Sequence, residues 1–169
     1  MSGKVIGKTL PFGYRGTPSR NPDTLIEPFV NKGEESINYG DPVVYDPTLE
    51  GVRRLKAGDT ATAIVGIAVR RVGQPYADSN NGYFYAAGDM VDVLIRGSIT
   101  VEVEDKDNIA PRGAVYADPA TGELSSAASH TDEETSTTVN HLAVPNAIFT
   151  HGKVDSNLIT EITILSRSI

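Results

Sequence analysis

Cysteine and tryptophan are both missing from this chain of 169 residues. Without thiols there is no disulfide framework, no thiolate metal site and no cysteine nucleophile, which suits folding in a reducing cytoplasm. A long apolar run is missing too. The N-terminal segment holds nothing of signal-peptide length, and no stretch approaches the roughly 18 apolar residues of a membrane span. A soluble chain with no Sec-type address and no membrane partner is expected. Basic residues are in deficit: 15 Lys and Arg face 22 Asp and Glu, a net charge of −7. Only Arg53-Arg54 and Arg70-Arg71 pair up, so the basic stripe that releases counterions from a nucleic acid is lacking, and nucleic acid is not an expected partner.

The signatures of catalysis are equally scarce. There is no Gly-x-Ser-x-Gly turn, and the three histidines, His130, His141 and His151, show neither His-x-x-x-His nor Glu-x-x-His spacing. His130 and His141 lie in or beside a polar run that carries Asp132, Glu133 and Glu134. Gly3-Lys4-Val5-Ile6-Gly7-Lys8-Thr9 is one residue short of a phosphate loop. Glu104-Asp105-Lys106-Asp107-Asn108 continues with Ile109 and Ala110, where a calcium loop needs an oxygen ligand and a glycine. Asp89 and Asp92 read as turn or surface carboxylates. Tyr76, Tyr83, Phe84 and Tyr85 offer a weak stacking platform for sugars; the plainer reading divides them between core and interface. No catalytic residue, cofactor or metal ligand is assigned, and the expected role is structural rather than enzymatic.

What is present is β grammar. Ala57-Gly58-Asp59 and Ala87-Gly88-Asp89 are turns that each feed a branched, apolar run. Strands are expected over 37–46, 52–56, 60–72, 83–85, 114–117, 123–125, 147–150 and 158–165, with 90–96 and 98–104 forming a hairpin around Gly97. In the last of these, Ile99, Val101 and Val103 alternate with Thr100, Glu102 and Glu104, the pattern of a sheet with one wet face. About ten short strands argue an all-β fold, an antiparallel barrel or sandwich. Residues 125–140 read as a long exposed loop. Gly40-Asp41-Pro42-Val43-Val44-Tyr45-Asp46-Pro47 is echoed by Gly113-Ala114-Val115-Tyr116-Ala117-Asp118-Pro119. The echo fits either a duplication or shared hairpin chemistry.

Residues 1–32 stand apart from the β domain expected over 33–169. Pro11, Pro18, Pro22 and Pro28 break every candidate element, yet Leu10, Phe12, Tyr14, Leu25, Ile26 and Phe29 are retained. A disordered tail has few apolar residues, so an extended arm laid against another surface is expected.

The order of these pieces resembles the structural cement proteins of tailed bacteriophages. The resemblance runs from Leu10-Pro11-Phe12-Gly13-Tyr14-Arg15-Gly16 through Ile37-Asn38-Tyr39-Gly40-Asp41-Pro42-Val43. It continues through Arg54 to Asp59, Val65 to Arg70, Tyr85 to Leu94 and Gly97 to Val101, and ends with Gly113 to Tyr116 and Thr121 to Leu124. It implies a capsid decoration protein on the outside of the virion, made in the host cytoplasm, that binds major capsid subunits and neighbouring copies of itself as a trimer or dimer. The candidate capsid contacts are Leu10, Phe12, Tyr14, Leu25, Ile26 and Phe29, with Arg15 and Arg20 facing acidic capsid patches. A tail or fibre-base β protein and a carbohydrate-binding β module are the alternatives.

Overall fold

Each Ala-Gly-Asp turn closes on its own carboxylate. Gly58 and Gly88 take φ of +93° and +87°, left-handed values open to glycine at little cost. Asp59 then accepts the amide of Lys56, and Asp89 that of Ala86, each at 2.9 Å. The computed structural model describes residues 11–71, 84–104, 108–131 and 136–166. It is all-β, as expected, with one 3-10 turn at Ala61–Ala63. Among the described residues no helix is long and apolar enough to cross a membrane.

The strands are β1 (Pro18–Val30), β2 (Ile37–Asn38), β3 (Pro42–Asp46), β4 (Gly51–Arg54), β5 (Ile64–Ala68), β6 (Phe84–Tyr85) and β7 (Met90–Glu102), then β8 (Ala114–Ala117), β9 (Leu124–Ser125), β10 (Ser129–Thr131), β11 (Thr138–Asn140), β12 (Leu142–Phe149) and β13 (Ile159–Ile164). The large antiparallel sheet runs β4-β3-β5-β7-β13-β12-β8-β9, with β1 added along β7. Its ends curl back. A parallel bridge joins Asn31 to Val52, and Lys32 N–H donates to Val52 O at 2.8 Å. A second bridge joins Val103 to Leu124, and Glu104 N–H donates to Leu124 O at 3.0 Å. The result is two five-stranded rings, β1-β7-β5-β3-β4 and β7-β13-β12-β8-β9, with β7 common to both.

Each ring has its own core. Val43, Val52, Ala68, Val91 and Val93 fill the first, where Ile37, Tyr39 and Tyr85 of the β2–β6 region pack against them. Val101, Val115, Leu124, Phe149 and Ile162 belong to the second core, which Val44, Ile64, Ile67 and Leu94 extend across the back of the first ring. The rings repeat one hydrogen-bond frame. Tyr45↔Val52 recurs as Ala117↔Leu124, Val44↔Arg53 as Tyr116↔Ser125, Ala68↔Val93 as Phe149↔Ile162, and Val30↔Met90 as Glu102↔Ile159. The echo seen in the sequence thus sits at equivalent places of two like units.

Three expectations are corrected. Met90 to Glu102 is one strand, not a hairpin: Gly97 stays inside it at φ +120° because β1 crosses so close that a β-carbon would lie 3.1 Å from both Asp23 O and Thr24 Cα. Residues 18–30 form a strand despite their prolines. β1 pairs with β7 through three register irregularities, and among the described residues β7 is the only strand with which it forms a ladder, the one-sided setting in which proline is tolerated. The run 125–140 is not a plain loop. It contributes the end of β9 and then the β10–β11 hairpin, paired from Ser129↔Asn140 to Thr131↔Thr138; residues 132–135 lie outside the described residues.

Candidate functional site

The eight residues singled out from the sequence take different places. Leu10 lies outside the described residues. Phe12 is half-buried, its amide donating to Asp155 Oδ2 at 2.9 Å. Tyr14 is 68% exposed, with the Arg70 guanidinium 4.2 Å above its ring. Leu25 and Ile26 are exposed on β1, opposite Arg96 and Leu94 of β7. Phe29 turns inward, packing on the first core and meeting Tyr45 edge-on at 6.3 Å between ring centroids. The two arginines are held within the chain: Arg15 pairs with Glu102 at 3.1 Å, and Arg20 with the buried Glu161 at 2.9 Å while also meeting the His151 ring. Between them Gly16 ties the segment down. Its amide donates to Thr100 O at 2.7 Å and its carbonyl accepts from Arg70 N–H at 2.6 Å.

Beside Arg15 is a cleft of about 220 Å³ lined by Tyr39, Asp41, Glu102, Glu104 and Leu124. Burial pushes the Asp41 carboxyl up to about 6, against the opposing pull of the Arg15 charge and the Asn38 amide, which donates at 3.0 Å. A carboxyl raised in the folded state contributes stability that is full below its unfolded value of 3.8 and is lost as pH rises through about 6. Asp41 keeps part of its surface in water, which reduces the effect. Asp41→Asn is therefore expected to stabilise the protein by about 1–2 kcal/mol at pH 7.5 and to flatten the dependence between pH 4 and 6. Urea midpoints of both proteins across that range check this; a variant that keeps the wild-type slope contradicts it.

Of the four aromatic residues considered as a stacking platform, the two described ones are turned at least partly inward. Tyr85 is buried, its hydroxyl donating to Val69 O at 2.6 Å and its ring 5.1 Å from that of Tyr39, and burial pushes its pKa up to about 12. Phe84 is half-buried, and Tyr76 and Tyr83 lie outside the described residues, as do Gly3 to Thr9 and Asp105 to Asp107. Two polar clusters escaped the sequence reading. In the first, Arg53 grips Asp59 with two nitrogens, at 2.7 and 2.6 Å, and Asp46 with a third at 2.9 Å. In the second, His130 and His141 meet through ring nitrogens 2.7 Å apart, their rings tilted by 46°, beside Asp118.

No curated protein matches the sequence. Among solved structures, a chain of "The capsid of Myoviridae Phage XM1" is similar to this one with a TM-score of 0.68 and 18% identity, covering 98% of both chains. That likeness concerns the fold. The model of the family described as structural cement protein (E217 gp24/Pam3 gp6) matches residues 3–165. With nearly its whole length matched in this way, the chain belongs to the phage structural cement family, whose members are structural proteins of the virion.

Proposed function

We propose that the protein docks on the outside of the phage head, across neighbouring major capsid subunits, and reinforces their contacts without turning over any substrate. The N-terminal segment, residues 1–32, is the docking element, and its strand β1, itself a wall of the first ring, fixes it to the rest of the fold. One observation carries this reading. Three of the seven large apolar side chains exposed among the described residues, Tyr14, Leu25 and Ile26, lie in this segment, on or just before a strand with a ladder on one side only, and a fourth, Met90, stands opposite its Val30. Exposed apolar groups along a strand edge are the usual makings of a protein interface. Arg15 and Arg20 already have partners inside the chain, so their part in docking is secondary.

The energetics favour this reading. Packaged DNA presses subunits apart, and a clamp that binds only the assembled lattice adds its binding free energy to that lattice. Many copies need only modest affinity each. A net charge of −7 keeps such a protein from associating with the genome. A trimer or dimer at a local symmetry axis is the assembly expected of it after synthesis in the host cytoplasm. The test uses heads stripped of the protein. The double variant Leu25→Asp with Ile26→Asp should bind them at least tenfold more weakly, about 1.4 kcal/mol, while its circular dichroism and thermal midpoint stay near wild type. Undiminished occupancy, or equal heat resistance of heads with and without the protein, overturns the proposal.

A further inference from the structure

The two rings are alike in backbone but differ at one carboxylate. In the first ring Asp46 opens the β3–β4 turn, its Oδ1 accepting the amide of Thr48 at 3.0 Å. In the second Asp118 opens the β8–β9 turn in the same manner, its Oδ1 accepting the amide of Ala120 at 2.6 Å. Asp46 has its charge answered by Arg53. At the place of Arg53 the second ring has Ser125, because Val44↔Arg53 corresponds to Tyr116↔Ser125. Asp118 is nonetheless the more deeply buried of the two, its side chain 7% exposed against 20% for Asp46. Among the described residues its ion-pair partners are two imidazoles, His130 and His141. A buried carboxylate calls for a cation.

We infer that Asp118, His130 and His141 form a binding site for a divalent metal ion of the zinc type. The donor atoms converge. His130 Nδ1 lies 2.7 Å from His141 Nε2, and Asp118 Oδ2 lies 3.8 and 3.9 Å from those two nitrogens. The nearest point equidistant from the three atoms lies in their plane, about 2.1 Å from each, the length of a zinc bond to imidazole or carboxylate; the two nitrogens move apart by about half an ångström to leave a tetrahedral set with a fourth position. The outer shell is in place as well. His141 Nδ1 lies 2.8 Å from Ala127 O. A carbonyl only accepts, so this nitrogen carries the proton and Nε2 presents its lone pair to the site. In the metal-free protein His130 Nδ1–H donates to that lone pair; on metal entry the neutral ring changes tautomer, its proton passing through water from Nδ1 to the other ring nitrogen, Nε2, which frees Nδ1 for the ion. The His141 side chain is sealed from solvent while that of His130 is 34% exposed, so the ion enters past His130 and a water takes the fourth position. Two nitrogens and one oxygen select zinc, cobalt or nickel over magnesium and calcium. Held there, the ion fastens the β10–β11 hairpin to the β8–β9 turn.

Titration of chelator-stripped protein with zinc chloride in a calorimeter tests the site. One ion per chain is expected, with a dissociation constant on the order of 1 μM or tighter. His130→Ala and Asp118→Asn should each weaken binding at least tenfold, and zinc should raise the thermal midpoint of the wild type in a way that chelator reverses. Cobalt chloride gives an independent reading on the unaltered chain: a visible d–d band of tetrahedral cobalt, saturating at one equivalent. An absent band together with no saturable zinc binding up to roughly 1 mM overturns the assignment; so does binding of full strength in both variants.

Discussion

Gly66→Ala is expected to leave little or no soluble folded protein. Gly66 lies in β5, where that strand meets both β3 and β7. A β-carbon built on it falls upon the carbonyl oxygen of Leu94 and crowds Val93 Cγ1 at 2.8 Å. The obstacle is backbone, which cannot rotate away as a side chain would, so β5 must part from β7. β7 is a wall of both rings, so the damage reaches both cores. A loss of about 3 kcal/mol or more follows from overpacking at such a place. Gly58→Ala provides the comparison, since no heavy atom stands within 4 Å of its would-be β-carbon; its cost is the strain of a left-handed φ, about 1 kcal/mol. Expression yield and urea midpoints of the two variants decide the matter. Wild-type stability in Gly66→Ala would show that β5 and β7 do not approach as closely as described.

Arg53→Ala is expected to cost about 2–3 kcal/mol at neutral pH, chiefly through Asp59, whose side chain is 9% exposed and accepts two of the guanidinium bonds. Arg53 holds the carboxyls of both Asp59 and Asp46 below the ordinary range, while its own pKa is raised, first by Asp59. The sign follows. A carboxylate with a lowered folded-state value contributes stability that is full above its unfolded value of 3.8 and is lost as pH falls through the lower one. The gap between wild type and Arg53→Ala should therefore be widest at pH 6–8 and should close as the pH drops below about 3. Arg53→Lys should recover only part of it, because an ammonium cannot span Asp59 with a planar fork. Chemical denaturation at pH 7 and pH 3 measures both effects, and a gap that is unchanged at pH 3 rules the ion pairs out as its origin.

Turn chemistry was legible in the chain, and long-range approach was not. Asp59 and Asp89 close their turns on backbone amides, as such residues do. β8 was read to the residue at Ala114–Ala117. Gly97 misled because a glycine between two alternating runs is also what a hairpin looks like; the demand for it comes from Asp23 and Thr24, far away in sequence. β1 was hidden by its prolines, whose missing donors matter little on a strand with an open side. Tyr14, Leu25 and Ile26 were picked out as apolar residues of that segment and are exposed, while Phe29, chosen on the same ground, is drawn into the core by Tyr45 and its neighbours. The histidine cluster has no local spacing to betray it, since three separate stretches of chain supply it. A signal did exist: aligning the two echoed segments onward sets Arg53 against Ser125 and shows an aspartate deprived of its arginine.

Because β7 is a wall of both rings, there is no linker between them on which one could swing or slide against the other. Strain applied at β1 passes along the length of β7 into the hydrogen bonds of β13, where it is resisted in shear by a whole ladder rather than peeled open one bond at a time. A linker between two separate barrels would stretch before it passed on any force. A common strand makes the pair behave as one stiff brace.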